Sequence, residues 1–188
     1  MNDVPQIRAS YAQLLLQRIS ALPNGPEILA HVDPKSIALV ADEHRLAFID
    51  AVHHQALLDA ASEELDGAAL LDLLLRQTRL FSDSPLVAAT LRTLLSLTGR
   101  SPHTVLKHFP RLRNVAVRNF GLLTYASNGA KSARFSLIGY PAQYMNDTNV
   151  ILFRATFLAM VDITGDTGDA VFMSDDKPAG AAEYEVNW

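Results

Sequence analysis

The chain has 188 residues, enough for one domain of ordinary size with a sizeable core. Its composition, 49% apolar and 19% charged, excludes a disordered chain, and its net charge of −4 argues against wholesale nucleic-acid binding while leaving room for a local basic patch. It has no cysteine, which excludes a disulfide framework, a thiolate metal site and a cysteine nucleophile.

In chain order, residues 6–22 have helical spacing, with Ile7, Tyr11, Leu14, Leu15, Ile19 and Leu22 on one face. Pro23-Asn24-Gly25-Pro26 stops that helix. Residues 27–41 are ambiguous: Asp33-Pro34 suggests a turn, and Ile37-Ala38-Leu39-Val40 is short and apolar. Residues 42–61 predict a helix that buries Leu46, Ile49, Val52, Ala56 and Leu57, and Asp66 caps another through Phe81. Ser84-Pro85 opens a helix that ends at Gly99, and Ser101-Pro102 opens a short one to about Phe109, ended by Pro110. The pattern then alternates: a strand over 115–126, a tight turn near Asn128-Gly129, a strand over 133–139 and a break at Tyr140-Pro141. A helix follows from Asp147 or Thr148 to about Thr164, then strands over 169–174 and 181–188, with Tyr184, Val186 and Trp188 facing one way. The expected fold is one α+β domain over residues 1–188. Its helical part spans 1–110, and its 111–188 part is an antiparallel sheet of ββαββ order on which the N-terminal helices pack.

The stretch between Asp83 and Asp147 has no acid and eight cations: Arg92, Arg100, Lys107, Arg111, Arg113, Arg118, Lys131 and Arg134. Such a run attracts phosphate, nucleic acid, anionic lipid or an acidic partner, or cancels on folding against the acid-rich segment of Asp59, Glu63, Glu64, Asp66 and Asp72. Residues 94–109 within it resemble the helix-turn-helix of DNA-binding regulators, with Gly99 in the turn and Ser101 as cap. Arg100, His103, Thr104, Lys107, Arg111 and Arg113 are then the anion or nucleic-acid contact candidates. Leu95 and Arg100 depart from that motif, which normally has a small residue and an apolar one there. Asp50 and His54 share a helical face, a permissible metal pair, but no third ligand has recognisable spacing and zinc needs three. The six histidines therefore read as solvated, and no metal is expected. Neither a Gly-x-Ser-x-Gly elbow nor a phosphate-binding glycine loop occurs, so no catalytic set is expected. No apolar run approaches the ~20 residues that span a bilayer. The first residues lack a secretory leader pattern, and a cytoplasmic location is expected.

From about Leu70 to Trp188 the chain resembles a family of paralogous bacterial domains of unassigned function, abundant in myxobacteria. That family is related to the ligand-binding superfamily of haem–nitric-oxide-binding, vinyl-reductase and Golgi-transport TRAPP domains. The resemblance lies in four features: the helix ending Leu97-Thr98-Gly99-Arg100, the entry Phe109-Pro110-Arg111-Leu112-Arg113, the strand pair followed by a helix and two more strands, and the terminal Tyr184-Glu185-Val186-Asn187-Trp188. It implies a non-catalytic sensory, ligand-binding or protein-interaction module that forms homodimers. The haem-binding branch has a Tyr-x-Ser-x-Arg signature for the propionates. Here Tyr125 and Ser127 match, Gly129 replaces the arginine, and no histidine stands near the end of the helix at 86–98. No haem or other cofactor is expected. A small apolar ligand between sheet and helices is expected instead, with Tyr125, Tyr140, Tyr144, Phe153, Phe157 and Met160 as candidate liners. DNA binding through 86–109 is the alternative.

Overall fold

The computed structural model describes residues 4–188. Two antiparallel sheets are present among them, with orders β2-β1-β3 and β4-β5-β7-β6. The small sheet joins β1 (Gln6–Arg8), β2 (Phe48–Asp50) and β3 (Val117–Arg118). Helices α1 (Ala9–Ser20), α2 (Gly25–Ala30) and α3 (Pro34–Asp42) lie between its first two strands, and α4 (Ala51–Glu64), α5 (Gly67–Ser82), α6 (Pro85–Thr98) and α7 (Pro102–Ala116) lead to the third. The large sheet is β4 (Leu122–Ser127), β5 (Ser132–Ile138), β6 (Asp169–Asp176) and β7 (Ala181–Asn187), with α8 (Asp147–Asp162) inserted after β5. This is the α+β fold with ββαββ order expected from the sequence.

Several boundaries differ from expectation. The first helix begins at Ala9, because Gln6 and Ile7 pair with Asp50 and Ile49 on one side and with Arg118 and Val117 on the other. The helix expected from residue 42 begins at Ala51, where the Asp50 carboxylate accepts from Val52 N at 3.1 Å. Its register turns accordingly: Ala51, His54, Leu57, Leu58 and Ala61 are buried, while Leu46 and Val52 are exposed. The ambiguous 27–41 segment resolves into α2 and α3, with Asp33 capping α3 through Lys35 N. Helix α7 continues past Pro110 to Ala116. The proline costs one main-chain bond. Leu106, Phe109 and Arg113 nevertheless remain buried on one face, and that packing carries the helix through.

The expected long strand over 115–126 is therefore split into β3 and β4. Between them Asn119 and Gly121 have φ of 60° and 69°. A Cβ at Gly121 would lie 2.4 Å from the Ile138 carbonyl oxygen, so the bend requires glycine. The β4–β5 hairpin then runs with Leu122 opposite Ile138 and Tyr125 opposite Phe135.

Helix α8 is a shared wall. Ala155 packs in the core of the helical layer, with Ile151, Leu152 and Ile163 against it. Phe153, Phe157, Met160 and Val161 pack in the core of the large sheet. A helix buried on both sides is apolar nearly all round, as this one is. Phe157 stacks on Phe135 with centroids 4.5 Å apart and meets Phe109 edge-on at 5.7 Å. Ala133, Phe135, Leu137, Ala182, Tyr184 and Val186 supply the buried face of the sheet.

Candidate functional site: a cavity between the helical layer and α7 and α8

The two cores leave an apolar cavity of about 110 Å³ where they meet. The helical layer contributes Tyr11, His54, Thr78, Phe81, Val87 and Leu91 to its lining. Helices α7 and α8 contribute Phe109, Leu112, Arg113, Leu152, Phe153, Thr156 and Met160, and the segments flanking the large sheet contribute Phe120, Tyr140 and Tyr144. For scale, an engineered apolar cavity of about 150 Å³ admits benzene.

The polar groups along this lining are few. Tyr11 is buried, its hydroxyl 3.4 Å from Thr78 Oγ1, and burial raises its pKa. Burial likewise raises the Tyr140 phenol above its ordinary range. Arg113 is 8% exposed and donates from Nη2 to Phe120 O at 2.9 Å and from Nη1 to Gly121 O at 3.3 Å. Burial lowers its pKa, and the nearby Tyr140 partly offsets that shift. Asn149 donates to Gln55 Oε1 at 2.9 Å, tying α8 to α4 beside the cavity. No carboxylate lines it among the described residues.

His54 stands apart. It is 4% exposed, and burial alone pushes its pKa down to about 3, so the ring is neutral at physiological pH. Its Nε2 is buried and meets no protein hydrogen-bond partner. Gln77 Oε1 and Ser84 Oγ share that condition among the described residues, but only His54 lines the cavity. Sequence reasoning placed this histidine at the surface. The missed signal is its spacing: His54, Leu57, Leu58 and Ala61 fall on one helical face, the one that is buried.

Of the residues expected to line a pocket, Tyr140, Tyr144, Phe153 and Met160 come together here, whereas Phe157 lies within the aromatic stack. Tyr125 is on the hairpin, its hydroxyl 2.6 Å from His103 Nδ1. His103 Nε2 lies 2.9 Å from the Gly129 carbonyl oxygen. A carbonyl only accepts, so Nε2 carries a proton and donates to Gly129 O; in the neutral ring the Tyr125 hydroxyl then donates to Nδ1. Trp188 meets the same imidazole edge-on at 4.6 Å. His103 is thus clasped to the large sheet and is not free to face a groove.

The other contact candidates divide. Arg100, Lys107 and Arg111 are exposed, Thr104 is half-buried in the Ser101 cap, and Arg113 is turned inward. Among the described residues, the ion pairs are His31 with Glu63 and Glu64, Arg76–Asp72, Arg79–Asp162, Arg154–Asp169 and Lys177–Asp175. None of these pairs includes a cation of the acid-free stretch; Arg134 of that stretch stands opposite Glu185 in the β5–β7 ladder. Asp50 caps α4 while His54 lines the cavity, and no cluster of three metal-ligating groups occurs among the described residues.

The fold and cavity define an α+β domain with an internal apolar site. Its likeness to solved structures is specific: it has the architecture of H-NOX domains. The Fe(II) unliganded H-NOX protein from K. algicida superposes with a TM-score of 0.64 at 11% identity, covering 96% of each chain. A doubly substituted variant of Tt H-NOX gives 0.63 at 10% identity, over 97% of this chain and 95% of that one. A structure concerned with haem redox potential and protein-induced porphyrin distortion gives 0.61 at 9% identity, over 97% and 100%. At these identities the likeness is one of fold. No protein-family profile matches the chain. No curated protein matches it either.

A cavity of about 110 Å³ is far below the ~300–1,000 Å³ of sites for larger ligands. Gly129 offers no side chain to a propionate, and both nitrogens of His103 are engaged. The arrangement does not fit a haem.

Proposed function

We propose that this chain is a non-catalytic sensory module that binds a small apolar ligand in the cavity between its helical layer and α7 and α8, and that it works without haem. The observation that carries the reading is the apolar cavity itself, lined from both cores and bordered by the buried His54 imidazole. Protein interiors are packed to near-crystalline density, so a small apolar molecule that fits this cavity gains packing contacts with its lining. The cavity walls belong to two cores, joined locally by the Gln55–Asn149 hydrogen bond, so filling it changes how one core sits on the other. That change of packing is the proposed signal.

Two copies pairing is part of the same proposal. Leu122 and Ile138 are opposite one another on the outward face of the large sheet, 59% and 53% exposed, and offer apolar surface for it. A solution mass near 20.6 kDa at all concentrations would count against pairing.

Two readings test the main proposal. Native mass spectrometry of the purified protein is expected to find a small molecule retained with the chain, or one taken up from a panel of small apolar compounds. Incubation with haemin is expected to leave no Soret band. Persistent failure to bind any panel member contradicts the ligand site, and a stoichiometric Soret band contradicts haem-independence.

A further inference from the structure

The outward face of the small sheet carries a charge cluster that the cavity does not use. Strand register puts Gln6, Arg8, Phe48, Asp50 and Arg118 on that face, while Ile7 and Ile49 are buried on the other. The Arg118 guanidinium carbon lies 3.8 Å from the centroid of the Phe48 ring, and that of Arg8 lies 4.4 Å from it. Two cations therefore share one aromatic ring and are at most about 8 Å apart. We propose that Arg8, Phe48 and Arg118 form a recognition site for a phosphate group, free or as the monoester of a small molecule.

Both arginines are held in place with their charge uncompensated. A cation–π contact fixes a guanidinium without neutralising it. Arg8 also donates from Nε to Val115 O and from Nη1 to Leu46 O. Carbonyls orient the group but supply no counter-charge, and Arg8 Nη2 has no partner among the described residues. The Arg118 side chain makes no hydrogen bond or ion pair among those residues. Its place is set by the backbone. Asn119 is left-handed at a φ of 60°, and its Nδ2 donates to Val4 O at 3.0 Å, tying the end of β3 to the start of β1.

The acid on this face does not balance the pair. Asp50 lies across Gln6 from Arg118, caps α4 through Val52 N and forms an ion pair with neither arginine. Burial lowers the Arg8 pKa, and the Arg118 charge lowers it further. An anion bound to both removes that repulsion.

Two uncompensated cations match a dianion. A phosphate has oxygens enough to accept from both guanidiniums, whose planar forks suit it. A carboxylate has one charge and two oxygens, which a single guanidinium already satisfies. Two cations beside one acid suit a single phosphate group, not the long run of phosphates in a nucleic acid.

Nuclear magnetic resonance titration of the full chain at constant ionic strength tests this, with inorganic phosphate, phenyl phosphate and acetate as probes. Phosphate is expected to shift the Arg8 and Arg118 Nε resonances and the Phe48 ring resonances saturably. Acetate should bind at least about tenfold more weakly. Phenyl phosphate binding as tightly or more so assigns the site to a monoester, and its rejection assigns it to free phosphate. Arg118→Gln should weaken phosphate binding at least about tenfold, and Arg118→Lys, which keeps the charge but not the fork, by less. Arg76→Gln, in an ion pair on α5, should leave it unchanged. Shifts that stay linear, or that chloride reproduces, would overturn the inference, as would saturation indifferent to Arg118→Gln. So would a short DNA duplex that binds more tightly than phosphate and moves Lys107 and Arg111 as much as Arg118. The cavity reading stands or falls separately, because Arg8, Phe48 and Arg118 are not on the cavity lining.

Discussion

Burying one imidazole without a partner has a measurable consequence for stability. In the unfolded chain His54 takes up a proton near pH 6.5, and in the folded chain only near 3. Between those values the unfolded state holds more protons, so stability rises with pH across the window. The contribution is intact above about pH 6.5 and is lost as pH falls, at up to about 1.4 kcal/mol per pH unit. No carboxylate on the cavity lining offsets this, and its other titratable groups are Tyr11, Tyr140, Tyr144 and Arg113. Urea denaturation at about pH 5 and about pH 7 should therefore show a larger difference in the native chain than in His54→Leu. Equal differences would mean that His54 is not held neutral. Gly121 gives a second prediction at this scale. Gly121→Ala puts a methyl 2.4 Å from the Ile138 carbonyl oxygen at a φ of 69°, and should cost at least ~2 kcal/mol in the same assay.

Among the elements, α8 carries the most packing responsibility, because it closes both cores. Phe157→Ala removes the ring stacked on Phe135 and should cost about 4 kcal/mol, read as a lower urea midpoint. The His103 clasp is a smaller device. His103→Phe loses two hydrogen bonds to the β4–β5 hairpin and should cost about 1–2 kcal/mol, with amide exchange quickening at the hairpin. How far these elements were legible in the sequence depended on whether their cause is local. Asp66 capping α5 and Gly99 closing α6 are local chemistry, and both are where the sequence places them. So are the alternating Tyr184 and Val186. Strand β1 was not legible, because its three residues sit inside a helical spacing and their partners, Asp50 and Arg118, are far away in sequence. Pro110 punctuates correctly by propensity, yet the burial of Phe109 and Arg113 overrides it.

At the scale of the whole molecule, the H-NOX-like architecture and the helices-then-ββαββ order agree with the sequence reading. Four of the anticipated pocket residues meet on one cavity, but His54, one of its polar lining residues, was read as a surface histidine. Period and spacing reveal which face of a helix is buried. They do not reveal that two cores meet imperfectly, since that depends on the summed shapes of side chains from distant segments. The central claim is that this imperfect junction is a binding site for a small apolar molecule. Crystals under xenon pressure test it most directly, since xenon enters apolar cavities of this size. The account predicts one well-occupied xenon in contact with Phe81, Leu152 and the His54 ring. A junction free of xenon at saturating pressure would contradict it.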